Sequence, residues 1–193
     1  MTHRPVRRLL LALAVALSLA ACGGASGQES SQSRGDTAET SAAAGTSAGR
    51  PCESVAPTAE PDPAISTDLA VAPVVPPSDA PPPCGLVISD VVVGTGPEAV
   101  AGSTAALKYV GAFYETGKEF DSSWSQGADK TLPVVVGAGQ LIPGFEQAIT
   151  GMHVGGRRLV TIPSDLAYGP QGQGPIPGGA TLTFILDLVQ VTA

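Results

Sequence analysis

The chain contains few aromatic residues and almost no histidine, and both shortages restrict what it can do. One tryptophan, three tyrosines and four phenylalanines occur in 193 residues, and all of them lie after position 108. A hydrophobic core of ordinary size therefore fits only in the C-terminal half. His153 is the one histidine beyond the N-terminal residues, so the sequence offers neither a metal-binding cluster nor a Ser-His-Asp set. We predict no metal ion and no cofactor.

Basic residues are also scarce. Ten Lys and Arg stand against 17 Asp and Glu, which gives a formal net charge of −7. Nucleic acid is therefore not a predicted partner, because its binding depends on clustered Lys and Arg. The glycine-rich stretch 169–179 precedes a predicted strand rather than a helix, so we do not interpret it as a phosphate site. Nothing indicates a dimerisation helix, and we predict a monomer.

The sequence has no apolar run long enough to span a bilayer, which takes about 20 residues. Its longest run, LLLALAVALSLAA at 9–21, has 13 residues and follows three arginines. This pattern predicts a signal peptide over residues 1–21. The sequence LAAC at 19–22 resembles a lipobox, which makes Cys22 the predicted lipidation site and predicts an exported protein anchored to the outer side of the cell membrane. An ordinary signal peptide with Cys22 present by chance is the alternative.

Residues 22–84 have the composition of a tether. The stretch 23–50 consists mostly of small and polar residues without a hydrophobic period, and 51–83 carries ten prolines. We predict a lipidated N-terminus followed by a disordered spacer. The stretch 65–75 is more apolar, which is a weak indication of docking. Cys52 and Cys84 are an even pair in an exported chain once Cys22 is lipidated, so a disulfide between them is a hypothesis.

Residues 85–193 predict one folded domain of α+β class. Alternating apolar residues, with Gly and Pro between them, predict strands over 86–93, 104–114, 119–121, 132–136, 157–162 and 181–191. A short helix over 144–150 is predicted after Pro143, and its apolar side chains must pack on the sheet. The expected architecture is an antiparallel sheet with one short helix.

Five stretches of this domain resemble the FKBP-type peptidyl-prolyl isomerases. They are LKYVG at 107–111, TGKEFDSS at 116–123, VGAGQLIPGFEQAI at 136–149, GGRRLVTIPSDLAYG at 155–169 and IPGGATLTFILDLVQV at 176–191. The resemblance covers nearly all of 86–191. It implies a sheet curled around the helix and a hydrophobic pocket between the two.

The resemblance also implies the residues of the site. Asp121, Tyr168 and Phe145 are the implied catalytic residues, with Phe145 under the proline ring and Asp121 beside the rotating carbonyl. The Tyr168 hydroxyl and the Ile142 N–H are the implied hydrogen-bond donors to the ligand. The remaining implied substrate-binding residues are Tyr109, Phe120, Leu132, Leu141, Ile176 and Phe184. Five of the chain's few aromatic residues fall in this set, although a plain core would also collect them.

Three departures from the family pattern leave questions open. Phe145 replaces the tryptophan common in the family, and Gln173 lies near where some members carry a histidine. Residues 122–131 contain no arginine, whereas some members pair one with the pocket carboxylate, so the support of Asp121 is open. Trp124 is either a contact for substrate or an anchor for its loop.

The implied activity is cis-trans isomerisation of X–Pro bonds, with exported or envelope proteins as the expected substrates and protein folding as the expected process. The implied partners are proline-containing polypeptides and macrolide inhibitors of the rapamycin type. The alternative is a binding module or chaperone that uses the same pocket without turnover.

Overall fold

The computed structural model describes residues 52–193. The predicted signal peptide, Cys22 and the first part of the predicted tether lie outside the described residues. Within 52–193, no helix is both long and apolar enough to cross a membrane.

The described chain forms six strands and one α-helix, which confirms the predicted α+β class. The elements are β1 (Val87–Val92), β2 (Thr104–Phe113), β3 (Glu119–Ser122), β4 (Leu132–Val135), α1 (Pro143–Ile149), β5 (Arg157–Ile162) and β6 (Leu182–Thr192). Each lies within a few residues of its predicted position. The predicted loop 163–180 contains two short 3₁₀ turns, Ser164–Leu166 and Gly169–Gln171.

All strand pairs are antiparallel, in the order β1-β5-β6-β2-β3, and β4 pairs with the N-terminal half of β2. β3 and β4 therefore follow one another along the same side of β2. Register shifts interrupt β1 and two of the pairings of β2. Such bulges bend strands, which allows the sheet to curve around the helix.

Helix α1 begins at Pro143, whose fixed φ suits the first helical position. Its buried face consists of Gly144, Phe145, Ala148 and Ile149. A Cβ at Gly144 would overlap the side chain of Ile162, so glycine allows the helix to approach the sheet closely. Burial of each large apolar side chain contributes about 1.5–3 kcal/mol, and this contact forms the main core.

Strand β6 is buried on both faces from residue 182 to residue 188. Leu182, Phe184, Leu186 and Leu188 belong to the main core with α1. Ile185 alternates with them and belongs to a second cluster on the opposite face, with Ile65, Val75, Val110 and Ala112. The second cluster is completed by residues from the segment before the predicted domain.

That segment, residues 52–84, differs from the disordered tether predicted for it. We call it the strap. Its backbone bonds to the sheet edge: the Ala59 N–H donates to the Ile88 carbonyl (2.9 Å), and the Ile88 N–H donates to the Pro57 carbonyl (2.8 Å). Ile65 and Val75 are each only 3% exposed. The physical reason is that a few well-placed apolar side chains dock the segment, although its average composition is rich in proline.

A disulfide joins Cys52 to Cys84, with the Cα atoms 4.9 Å apart. The two ends of the strap are therefore tied to each other, as the cysteine count suggested. Backbone bonds from the Glu53 N–H to the Pro82 carbonyl and from the Cys84 N–H to the Glu53 carbonyl, both 2.8 Å, accompany the bridge.

A buried ion pair connects the strap to the sheet. Arg157 is fully buried, and its guanidinium donates to both carboxylate oxygens of Asp187, at 2.6 and 2.7 Å. It also donates to the Ser66 carbonyl at 2.6 Å and to the Val71 carbonyl at 3.1 Å. Every charge in this contact is thus matched by a counter-charge or an acceptor, as a buried cation requires.

Asp187→Asn is expected to lower the free energy of unfolding by about 3 kcal/mol or more, because it leaves the Arg157 charge buried without a counter-charge. The matched control is Asp90→Asn. Asp90 pairs with Arg158 at 2.6 Å but its side chain is 41% exposed, so we expect a loss of about 1 kcal/mol or less. Urea denaturation measures both losses. Equal losses would contradict the distinction between the two pairs.

Candidate functional site

Four aromatic rings meet edge to face between α1 and the sheet. The Phe145 ring on α1 lies 6.2 Å from the Tyr109 ring and 5.2 Å from the Phe184 ring, at 84° and 83°. The Phe120 ring lies 5.6 Å from the Phe184 ring, at 85°. Perpendicular contacts place the positive edge of one ring against the negative face of another, which is a favoured geometry.

Gly111 makes room for these rings. It lies on β2 opposite Phe184 on one side and Asp121 on the other. A Cβ at this position would come within 2.6 Å of the Phe184 ring and 2.9 Å of the Phe120 ring. A larger residue would therefore displace the rings on both neighbouring strands.

The implied apolar site residues all belong to one cluster, with a buried floor and a half-buried rim. Phe145 and Phe184 are 4% exposed and Ile176 is 7% exposed. The partly buried members are Tyr109, Phe120, Leu132, Leu141, Ile142 and Tyr168. The rim therefore leaves apolar and aromatic surface open to solvent beside a buried floor, and such surface is the usual lining of ligand sites.

Asp121 is exposed at the edge of this cluster, and its support does not require an arginine. The Tyr109 hydroxyl donates to Asp121 Oδ2 at 2.7 Å. The Ser122 N–H donates to Asp121 Oδ1 at 2.9 Å. Each carboxylate oxygen is thus held by one neutral donor, which answers the question that the missing arginine left open.

The two tyrosines of the site remain protonated at neutral pH. Burial raises the pKa of Tyr109 above its ordinary value, and the hydrogen bond to Asp121 and the charges of Asp121 and Tyr168 raise it further. Burial and the Asp121 charge also raise the pKa of Tyr168. The Tyr168 hydroxyl makes no hydrogen bond to any residue of 52–193. It is therefore available as a donor to a ligand.

The loop before α1 presents a second donor. The Ile142 carbonyl accepts from the Phe145 and Glu146 N–H groups at 3.0 and 3.2 Å. Its own N–H has no acceptor within the described part of the chain. The preceding loop is fixed by Glu146, whose Oε1 accepts from the Gln140 and Leu141 N–H groups at 2.8 and 3.2 Å.

Glu146 was not among the predicted site residues. An acidic residue in the first turn of a helix is a weak sequence signal, because the helix dipole alone accounts for it. Only the folded loop shows that the carboxylate faces backbone N–H groups. Burial would raise the pKa of Glu146, but hydrogen bonds from the N–H groups of Leu141, Gly139, Gln140 and Gly137 outweigh burial and lower it.

Ile176 is placed by a tight turn in the loop before β6. The N–H groups of Gln173 and Ile176 each donate to the carbonyl of the other residue at 2.9 Å. Gly178 lies so close to the Pro170 carbonyl that a Cβ would overlap it. The loop is thus closed on itself and holds Ile176 against the rings.

Trp124 lies three residues after Asp121, at the start of the 3₁₀ turn Trp124–Gln126. Its side chain packs against the second cluster, which contains Ile65 and Val75. The Lys108 ammonium lies 4.2 Å from its ring centroid. Of the two roles left open by the sequence, the geometry favours the loop anchor.

Among the described residues, no group of three or more His, Cys, Asp or Glu side chains could hold a metal ion.

Comparisons with known proteins agree with this geometry. Residues 96–189 match the sequence profile of the FKBP-type peptidyl-prolyl cis-trans isomerases. A probable FK506-binding protein of Corynebacterium glutamicum is 50% identical over 109 residues, covering 56% of this chain and 89% of that protein. An FK506-binding protein of Streptomyces anulatus is 49% identical over 112 residues, covering 57% and 89%. The crystal structure of AtFKBP13 has a TM-score of 0.52 and 39% identity, covering 57% of this chain and 96% of its own.

Glu146→Gln is expected to lower the melting temperature at neutral pH, because the amide accepts more weakly from the loop N–H groups. The pKa of Glu146 lies below its ordinary value of 4.5 in the folded protein. Its contribution to stability is therefore complete above about pH 4.5 and is lost as the pH falls through the lower folded value. Melting curves from pH 7 to pH 3 should show the two proteins converging.

Glu119→Gln is the matched control, since Glu119 is exposed on β3, and its melting temperature should follow the unaltered protein at every pH. A constant difference between Glu146→Gln and the unaltered protein down to pH 3 would contradict a role for the Glu146 charge.

Proposed function

Because the chain belongs to the FKBP-type peptidyl-prolyl cis-trans isomerases, we propose that its aromatic cluster binds the proline of an X–Pro segment and lowers the barrier to rotation about the imide bond. The observation that carries this assignment is the buried floor of Phe145 and Phe184 beneath the half-open rings of Tyr109 and Phe120, with the Asp121 carboxylate at its edge.

The reaction breaks no covalent bond. Amide resonance gives a rotation barrier of about 18–20 kcal/mol, and uncatalysed exchange takes tens of seconds or more. Catalysis requires only that the site bind the twisted imide better than the planar one. The twisted form has lost resonance and separates less charge, so an apolar, water-poor site favours it over the planar form.

The residues of the site divide this task. The ring of Phe145 supports the proline, and Ile176, Phe184 and Phe120 exclude water around it. The Tyr168 hydroxyl and the Ile142 N–H, both free of partners within 52–193, donate to ligand carbonyls and fix the peptide on either side of the rotating bond. A reduction of about 4 kcal/mol in the barrier would accelerate rotation roughly a thousandfold.

Asp121→Ala and Tyr168→Phe are each expected to lower kcat/KM several-fold in a protease-coupled assay with a proline-containing tetrapeptide. The first removes the carboxylate beside the rotating carbonyl, and the second removes a donor without changing the ring. Asp129→Ala, at an exposed position in the next loop, is the control and should match the unaltered protein. Unchanged rates in both site variants would remove Asp121 and Tyr168 from the site.

Binding of a macrolide distinguishes catalysis by this cluster from binding without catalysis. The relatives described above are named as FK506-binding proteins, and we propose that FK506 and rapamycin-type macrolides occupy the cluster in this chain too. FK506 should then inhibit isomerisation in the same assay. Binding of FK506 without any turnover would instead favour a non-catalytic module for proline-containing peptides.

We further propose that the protein is exported, anchored by lipid at Cys22, and acts on exported or envelope proteins. The basic N-terminus, the 13-residue apolar run and the sequence LAAC support this proposal. The Cys52–Cys84 disulfide supports it independently, because disulfides persist in oxidising compartments and are rare in the cytosol.

Cys22→Ala is expected to move the protein from the membrane fraction to the soluble fraction or to leave it unprocessed, because it removes the thiol that takes the lipid. Ser26→Ala, just beyond the lipobox-like sequence, is the control and should stay with the membrane. Fractionation followed by intact-mass measurement distinguishes these products. A cleaved Cys22→Ala chain that stays with the membrane, or an unaltered mature chain whose mass includes no lipid, would rule out a lipid at this residue.

A further inference from the structure

We infer that the strap is a working part of the enzyme, which positions Asp121 from behind the sheet through Trp124. This inference rests on the proposed isomerase function. The strap ends at residue 84, whereas the match to the family begins at residue 96. The strap is therefore an addition to the matched domain, and its effect on the site must be argued from its contacts.

The strap is fixed to the sheet independently of whatever precedes it. Its ends are joined by the disulfide, and its middle supplies the Ser66 and Val71 carbonyls to the buried guanidinium of Arg157. The disulfide, the hydrogen bonds to Arg157 and the backbone bonds to β1 leave the strap few alternative conformations. It can therefore hold the residues that pack against it in fixed positions.

The strap packs directly behind the strands that carry the site. Ile65 and Val75 contact a cluster that contains Val110 on β2 and Ile185 on β6, with Trp124 packed against it. On the opposite face of these strands lie Tyr109 and Phe184, the neighbours of Val110 and Ile185 in sequence. Side chains of adjacent residues in a strand point to opposite faces. The strap and the aromatic cluster thus sandwich the same stretch of sheet.

Trp124 connects the second cluster to the carboxylate. The backbone N–H of Trp124 donates to Ser122 Oγ at 3.2 Å, and this hydroxyl donates to the Tyr109 carbonyl at 3.2 Å. The Ser122 N–H holds Asp121 Oδ1 at 2.9 Å. A shift of Trp124 therefore acts directly on Ser122, whose N–H supports Asp121, and reaches the backbone of Tyr109 through the Ser122 hydroxyl.

The strap also contacts the other end of β3. The Ser78 N–H donates to the Tyr114 carbonyl at 3.1 Å. In the turn before β3, a Cβ at Gly117 would come within 2.6 Å of the Val75 carbonyl. Both the turn that leads into β3 and the loop that leaves it are thus supported by the strap, and β3 is the strand that carries Phe120 and Asp121.

Loosening the strap should therefore affect turnover more than binding. The rings that hold the proline belong to the main core, which does not include the strap. The carboxylate depends on the loop that Trp124 anchors. We expect kcat to fall roughly three- to tenfold, within the roughly 100-fold cost that a 1 Å displacement can bring, while KM changes less than twofold.

The chain offers a matched pair of variants for this test. Val75 is 3% exposed, whereas its neighbour Val74 is 76% exposed. Val75→Ala removes strap packing and Val74→Ala makes the same chemical change in solvent. Trp124 is the only tryptophan, so its fluorescence reports directly on the second cluster. The full chain with each substitution is assayed for kcat, KM, tryptophan emission and acrylamide quenching, well below its melting temperature.

The inference predicts that Val75→Ala shifts Trp124 emission to longer wavelength, increases quenching and lowers kcat, while Val74→Ala changes none of these. If Val75→Ala fails to fold, Val75→Thr replaces it. Threonine keeps the side-chain shape but places a hydroxyl in the second cluster, and the same changes in emission, quenching and kcat are expected. Trp124→Phe should recover part of the kcat that Trp124→Ala loses, because the phenyl ring still fills the cluster.

Two results would overturn the inference. One is a shift in Trp124 emission with kcat and KM unchanged, which would make the strap a packing element only. The other is a loss of kcat without any change at Trp124, which would exclude this route to Asp121. An unaltered chain with no isomerase activity would instead contradict the proposed function, so the two failures are distinguishable.

Discussion

The fold depends on the burial of β6 on both faces. One face of this strand packs under α1 and the other under the strap. The second face also carries Asp187, whose carboxylate is matched by the buried guanidinium of Arg157. The first face carries Leu182, Phe184, Leu186 and Leu188, and the second face buries Ile185. Exposure of either face would lose about 1.5–3 kcal/mol for each of these large side chains. Residues 52–193 therefore form three layers, which are helix, sheet and strap.

This layering bears on the site because the proposed reaction makes and breaks no bond. Such an enzyme accelerates rotation only if its site binds the twisted imide more tightly than the planar one. A site that adjusts its shape to the planar substrate loses this difference in binding. The rings of Phe145 and Phe184 are fixed by the main core. Gly111 lies against the rings of Phe184 and Phe120, and a larger residue there would displace both. The carboxylate of Asp121 lies outside that core and takes its support from Tyr109 and Ser122.

Much of the domain could be predicted from the sequence, because alternation of apolar residues and the position of Pro143 determine strands and helix locally. The site residues were implied by the five family-like stretches, and their apolar members meet in one cluster. The docking of the strap was only weakly indicated by the apolar stretch 65–75, since the proline-rich composition of the segment predicted a disordered spacer. The clue was the run TLTFILDLVQV at 181–191. Phe184, Ile185 and Leu186 are consecutive in this run, and consecutive apolar residues indicate burial on both faces of a strand, but one helix can cover only one face.

Within residues 52–193 the hydrogen-bond partners of Asp121 are neutral and do not include an arginine, which has a consequence for the proposed mechanism. A guanidinium would orient the carboxylate and also neutralise it, whereas the Tyr109 hydroxyl and the Ser122 N–H orient it and leave its charge in place. The planar imide places partial negative charge on its carbonyl oxygen through resonance, and twisting removes part of that charge. A carboxylate beside this oxygen destabilises the planar form more than the twisted form, and a charge that is not neutralised does so more strongly. In the proposed mechanism, neutral donors therefore suit the reaction, because they orient Asp121 without compensating its charge.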